Sequence, residues 1–280
     1  MSRASRGQTL GFGLLLLATL VVVVPVLFVV GMIVVKGWSA LSLSFLFTMP
    51  TEGMKAGGIF PALVGTIYLV VVAILFSLPI GILAAIYLSE YARDNALTRL
   101  INLAIINLAG VSSVVYGLFG LSLFVVFLKF GVSIISGALT LGVMTLPVII
   151  TTTREALRSV PQSYREVSFS LGATRWQTVR HSVLPSAVPG ILTGAILSVG
   201  RVAGETAPIL FTVAAFYLPR LPHGLSDQAM ALPYHLYIIS TQIPGIPENV
   251  RYGTALVLIG FVLVMNISAT IVRARFRKRR

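Results

Sequence analysis

The sequence predicts an all-α integral membrane protein with six transmembrane helices, forming a single membrane domain over residues 1–280. Three observations carry that expectation. Hydrophobic residues make up 56% of the 280-residue chain and charged residues only 10%, with a mean hydropathy of +0.95, whereas soluble domains run to about a quarter charged. Six apolar runs are each long enough to cross about 30 Å of hydrocarbon at about 1.5 Å of helix per residue. One long segment, residues 154–189, is polar and basic and interrupts them.

The same composition excludes several classes. With no cysteine, disulfides, thiolate chemistry and Cys-ligated zinc are ruled out. A net charge of +13 would suit nucleic acid. Most of the basic residues, however, sit in short segments flanking apolar runs, where membrane topology accounts for them, so the expected partner is the bilayer and not nucleic acid.

Taken in order, MSRASRGQT precedes an uncharged run over residues 10–35, too long for the apolar region of a signal peptide and with no small-residue cleavage site before Lys36. It reads as the first span. Residues 36–58 carry Trp38, Phe45 and Phe47, suited to an interface, and Pro50, Gly53, Gly57 and Gly58, suited to a loop. The second span, residues 59–89, exceeds the hydrocarbon thickness, so tilt or a bend at Pro79 must absorb the excess.

A short charged turn over residues 90–99 leads to the third span, residues 100–128, and the fourth, residues 132–153, with Lys129 between them. Asn102 and Asn107 lie in or near the third span and suit interhelical hydrogen bonds. The fifth span covers residues 190–218. A long loop, residues 219–251, precedes the sixth span, residues 252–272.

Within the polar segment, Ser159-Val-Pro161-Gln162 reads as a capped helix start and Gly172 as its stop. Thr174-Arg-Trp-Gln177 is a second capping box, and Pro185 and Pro189 are expected to end the helix it begins. A helix, a glycine turn and a second helix would then enter the fifth span.

Six spans place both termini on one side. The segments on that side hold fifteen Lys and Arg, against five on the other, so the positive-inside rule puts both termini and the 154–189 loop in the cytoplasm.

The fifth span is where chemistry is expected. Two charges, Arg201 and Glu205, sit within it, and a charged side chain at the bilayer centre costs roughly 2.5 to 3.5 kcal/mol on the lenient insertion scale. Four residues turn a helix by about 400°, so the two project from nearly one face and can pair. The plainer alternative is a pair that only locks helices together. In the functional reading, the Arg201 guanidinium meets a passing oxyanion with paired hydrogen bonds, while Glu205 holds it in place and limits the affinity so that the anion can leave. Thr206 could add a hydroxyl donor. Gly190, Gly194 and Ser198 form one small-residue row and Gly200 with Gly204 another, each allowing a neighbouring helix to come close. Pro208 offers a point at which a gate could bend.

No Gly-x4-Gly-Lys-Ser/Thr phosphate loop occurs, so the chain is not itself an ATPase. The histidines, His181, His223 and His235, lack metal-ligand spacing and read as surface or interface residues. No metal site, bound cofactor or catalytic constellation is expected.

Glu166-Val167-Ser168, Gly172 three residues later and Leu184-Pro185 after a further gap resemble the EAA loop of ABC-importer permeases. The spacing fits throughout. Val167 and Ser168 replace the two alanines and Ser182 the isoleucine of that pattern. The resemblance implies the type I permease fold and a coupling loop, with Glu166, Gly172, Ala173, Leu184 and Pro185 at its ATPase contact. It also implies partners: two ATPase subunits that hydrolyse ATP with magnesium, a homologous sister permease, and an extracytoplasmic binding protein. The setting it implies is the inner membrane.

Further stretches are similar to phosphate-importer permeases. They are Gly57-Gly58-Ile59, Pro79-Ile-Gly81, residues 85–91, residues 113–120, and Gly204-Glu205-Thr206-Ala207-Pro208 with Met230-Ala231-Leu232-Pro233, the last two resembling the PstA type in particular. Ser112 stands where those permeases carry Pro, which is expected to soften a kink. The cargo implied is inorganic phosphate. Another oxyanion such as molybdate or sulfate, or another solute, is the alternative within the class; a secondary carrier or channel is the alternative outside it.

Overall fold

The computed structural model describes residues 3–278, so Arg279 and Arg280, counted above among the C-terminal charges, lie outside the described residues. Helix α1 is Arg3–Gly37, and short α2 is Leu43–Phe47. A two-residue hairpin, β1 Pro50–Thr51 with β2 Ala56–Gly57, leads into α3, Phe60–Ile86, which runs on as a π turn over Tyr87–Tyr91. Helices α4, Ala96–Ala109, and α5, Ser113–Gly120, follow, with a second π segment Leu121–Phe127, and then α6, Ile134–Arg158. The polar segment holds α7, Gln162–Ser170, and α8, Arg175–Thr178, before α9, Leu184–Gly204, and α10, Ala207–Thr212. Helix α11 is Leu232–Thr241, and α12 is Glu248–Lys278.

Five of these helices are long and apolar enough to cross a membrane, and the bent pair α4–α5 makes a sixth crossing. Packing registers give the directions. Leu69, Phe76 and Gly81 of α3 meet Gly137, Gly142 and Ile149 of α6, so these two helices run parallel. The chain between them must return to the opposite end. It does so through α4, where Asn102 meets Arg154 near one end of α6, and α5, where Gly120 meets Thr140 toward the other.

Helix α9 lies antiparallel to α6, with Gly190 against Ala156 and Gly194 against Thr152, as the small-residue row predicts. Helix α12 lies antiparallel to α9, with Asn266 against Gly200 and Arg273 donating to Thr193. Helix α1 leans on α12 where Gly37 meets Tyr252 and Gly253, and a Lys36–Glu248 ion pair of 3.1 Å closes that end. Its apolar side chains from Phe12 to Val30 stay exposed. The core gathers where α3, α6 and α10 meet, around Leu69, Ala73, Leu141, Met144 and Ile209.

Several expectations are corrected. The third span is not one helix over residues 100–128. It breaks between Ala109 and Ser113 and bends by 106°, because Ser112 takes an extended conformation (φ −62°, ψ 144°), so Ser in place of Pro does not remove the kink.

The fifth span does not start at 190 or continue to 218. Pro185 and Pro189 do not end the helix begun at Arg175, because a π turn over Val179–Val183 precedes Pro185 and carries the helix through to Gly204 as one 30-residue unit. Pro185 falls in the first turn of α9, where its missing N–H costs least. The helix then stops at Glu205, whose ψ of 138° is extended, and Pro208 sits in the first turn of α10 instead of bending a continuous helix.

Ser159 does not cap α7. It closes α6 and donates its hydroxyl back to the Ala156 carbonyl, leaving Pro161 at the cap position of α7. His235, expected at a surface or an interface, is 4% exposed on α11 and so lies on no open surface. The 219–251 connection is tied to the bundle by long-range bonds: Ile134 and Ile135 N–H donate to the Asp227 and Leu225 carbonyls, and Leu232 N–H donates to the Thr66 hydroxyl. Asp227 accepts from the His223 backbone N–H at 2.8 Å, which holds its carboxyl below the usual carboxylate range.

Candidate functional site

Two groups of sequence-predicted residues separate along α9. Glu166, Gly172, Ala173, Leu184 and Pro185 gather around the α7–α8 hairpin, whereas Arg201, Glu205 and Thr206 lie near the far end of α9. The helix from Arg175 to Gly204 joins them without a break.

Positive φ at Gly172, +81°, turns the chain between α7 and α8, and the Gly172 and Ala173 N–H groups donate to Phe169 and Ser168. This is the left-handed C-terminal stop that glycine allows. The second capping box forms as read from the sequence. Gln177 N–H donates to the Thr174 hydroxyl at 3.3 Å, and Thr174 N–H donates to Gln177 Oε1 at 2.8 Å. Ser168, where the EAA pattern has alanine, shares a 2.9 Å hydrogen bond with Thr178 across the hairpin. Glu166 is exposed, as are Tyr164, Val167, Leu171 and Trp176 together with Arg175 and Arg180, so the outer face of the hairpin mixes apolar side chains with charges of both signs. Beneath it, Val179, Val183 and Ala187 pack with Ile86, Leu157 and Val160, seating the hairpin on the ends of α3 and α6.

At the other group, Arg201 Nε lies 3.4 Å from Glu205 Oε1, with the side chains 34% and 18% exposed. The expected pair forms, though not on one helical face: Glu205 has already left the helix. One long contact engages one of the five guanidinium donors. Among the described residues no other hydrogen bond to Arg201 is formed, so its terminal N–H groups remain available. The Thr206 hydroxyl likewise makes no side-chain bond there, while its carbonyl accepts from Leu210 N–H.

Depth follows from the α6–α9 register. If Gly190 and Gly194 lie level with Ala156 and Thr152, Arg201 lies level with Thr145, about the middle of Ile134–Arg158. The guanidinium thus stands at mid-span, where an unpaired charge is most costly and a paired, accessible one is most useful. Gly200 backs it onto Asn266 of α12, while Gly204 meets nothing, so of the second small-residue row only Gly200 makes a close contact. Beyond the break, α10 packs on α5, with Pro208 and Phe211 against Gly117, and Ser133 N–H donates to the Thr212 carbonyl at 3.0 Å.

Sequence reasoning missed the contacts that span long separations. Asn102 does make the interhelical bond expected of it, but to a charge, accepting from Arg154 at 2.6 Å. Arg165 and Glu90, 75 residues apart, form a half-buried ion pair that nothing in either local pattern announces. The charge of the 90–99 turn was visible, and its partner was not.

Residues 77–280 match the family described as binding-protein-dependent transport system inner membrane component. A Bacillus subtilis protein described as "Probable ABC transporter permease protein YqgI" is 38% identical over 251 residues, covering 85% of either chain. The "Phosphate transport system permease protein PstA 1" of Mycobacterium tuberculosis is 35% identical over 268 residues, covering 93% of this chain and 86% of that protein. The corresponding PstA of Pasteurella multocida is 35% identical over 240 residues, covering 85% and 84%. Among solved structures, a bacterial ABC transporter that imports the acidic polysaccharide alginate contains a chain that superposes with a TM-score of 0.67 over 97% of this chain and 96% of that one, at 16% identity. An inward-facing MetNI methionine transporter chain gives 0.60 over 78% and 94%, at 18% identity. At these identities the likeness is one of fold.

Proposed function

Because the chain belongs to the family of binding-protein-dependent transport system inner membrane components, we propose that it is one permease subunit of an ATP-driven importer of inorganic phosphate. Membership makes it an inner-membrane transport component that works with an ATPase and a binding protein. The further reading is that it forms half of a heterodimeric pore with a homologous sister chain, served by two ATPase subunits, with both termini in the cytoplasm.

The observation that carries the cargo is the state of Arg201. At mid-span it has one long contact to Glu205 and its other donors open. A planar guanidinium matches a tetrahedral oxyanion through paired hydrogen bonds and stays charged at any working pH. Relatives named as phosphate permeases fit that chemistry.

In the cycle so assigned, ATP-driven closure of the nucleotide subunits moves the α7–α8 hairpin. The unbroken helix from Arg175 to Gly204 carries that displacement to Arg201. Access to the anion then alternates about the Glu205–Thr206 break, while Glu205 limits how tightly the anion is held. This chain supplies the pathway and the lever; the partner hydrolyses ATP, and no cofactor is assigned to the permease.

The test is reconstitution of the chain with its sister permease, ATPase and binding protein in liposomes. Labelled phosphate should enter only with ATP, and excess sulfate or molybdate should not compete. Competition by sulfate or molybdate would reassign the cargo. Uptake that survives ATP depletion and follows an ion gradient would reassign the class.

A further inference from the structure

We propose that Glu90 and Arg165 form the joint through which the α7–α8 hairpin moves α3 and α6, alongside the continuous helix that carries it into α9, making both of them positioning residues of the transport cycle. The proposal rests on the reading above that the hairpin meets the ATPase.

Arg165 lies on α7 and Glu90 in the π turn that ends α3. The guanidinium donates from Nη2 to Glu90 Oε1 at 2.8 Å and from Nε to Oε2 at 3.2 Å, a two-point grip on one carboxylate. It also donates from Nη2 to the Leu157 carbonyl at 3.0 Å and from Nη1 to the Val160 carbonyl at 3.1 Å, at the end of α6. One side chain therefore ties three elements: the end of α3, the end of α6 and the hairpin helix.

What makes this a joint is how little else holds α7. No residue of α7 is buried, so the helix is not wedged into the bundle by packing. The apolar seat belongs to the second arm of the hairpin, through Val179 and Val183. Between the arms and the helix ends lies a cavity of about 550 Å³, with Glu90 and Arg165 on its wall beside Phe169 and Thr178. Across that gap, Arg165 supplies the fixed link.

The pair also differs from the chain's other ion pairs outside the spans. Arg99–Asp94 is 70% and 78% exposed and Lys36–Glu248 is 44% and 67% exposed, and exposed pairs contribute little. Glu90 and Arg165 are each 12% exposed. Removing one partner there leaves a charge that is only 12% exposed without its counter-ion. A charge-assisted fork of this kind also fixes direction, which a hinge of packed apolar groups does not.

The experiment uses the complete reconstituted complex and measures phosphate taken up per ATP hydrolysed, together with the amount of ATPase that copurifies. Glu90→Gln and Arg165→Gln are each expected to lower that ratio about tenfold, in the usual range for a coupling free energy, while copurification stays at the wild-type level. The double variant should match the singles, because each removes the same interaction. Glu90→Asp, which keeps the charge, should recover part of the ratio.

An unchanged ratio in the single variants overturns the proposal, as does a double variant whose loss is the product of the two. Failure to assemble in both Glu90→Gln and Glu90→Asp would assign the pair to folding alone and overturn it too. Failure of the underlying reading shows separately, as a wild-type complex with no ATPase bound at the hairpin.

Discussion

Arg201 and Glu205 meet at 3.4 Å across the end of a helix and not along its side: the helix stops at Gly204, and Glu205 bends back in an extended conformation to reach the guanidinium. Contact survives the loss of helical geometry because Glu205 is the cap residue, one step beyond the last turn. A pair held this way can open by rotation of Glu205 alone.

Under the proposed function, that arrangement assigns Glu205 a role in release. Glu205→Gln removes the competing negative charge and keeps the shape. The expected result is a lower half-saturation concentration for phosphate together with a lower maximal rate, read from uptake curves in proteoliposomes. A rise in half-saturation would mean that Glu205 helps bind the anion instead of limiting it.

Gly172 turns the hairpin at φ +81° with nothing within 4 Å of where a side chain would begin. Space is therefore no obstacle, but the backbone is: a branched side chain in the left-handed region costs on the order of 1–2 kcal/mol. Gly172→Val should reorient α7 against α8 and weaken the ATPase contact, seen as loss of copurification or of substrate-stimulated hydrolysis. The abundance of the permease itself should change little.

Burial pushes the His235 imidazole down to about 4, and its Nδ1 has no partner among the described residues. In the unfolded chain the ordinary value is about 6.5, so between those two values the unfolded state binds the extra proton and the folded state does not. Stability is thus full above about 6.5 and falls as pH drops toward 4, by up to about 3 kcal/mol at about 1.4 kcal/mol per pH unit. Thermal unfolding in detergent at pH 7.5 and pH 5 should show about 2 kcal/mol of that loss, and His235→Leu should flatten it.

Much of this architecture is legible in the residues. The apolar runs place the membrane helices, the Thr174–Gln177 capping box forms as written, and Gly190 and Gly194 of the small-residue row mark the contact with α6. Arg201 and Glu205 declare themselves by being charged in an apolar run. What local patterns miss is where helices break and what distant residues meet. Proline is the usual stop signal, yet the helix passes Pro185, which a π turn precedes, and Pro189, and it ends at Gly204, with Pro208 in the first turn of the next helix. The 106° bend before Ser113 needs no proline. Arg165 looks like one more basic residue of a polar loop until folding brings Glu90 to it.

The central claim is that a mid-span guanidinium passes phosphate through this chain. Labelled phosphate uptake by the reconstituted complex carrying Arg201→Gln tests it most directly, with ATPase copurification measured on the same sample. Uptake should vanish while the ATPase still copurifies at the wild-type level. Undiminished uptake through an intact Arg201→Gln complex would contradict it.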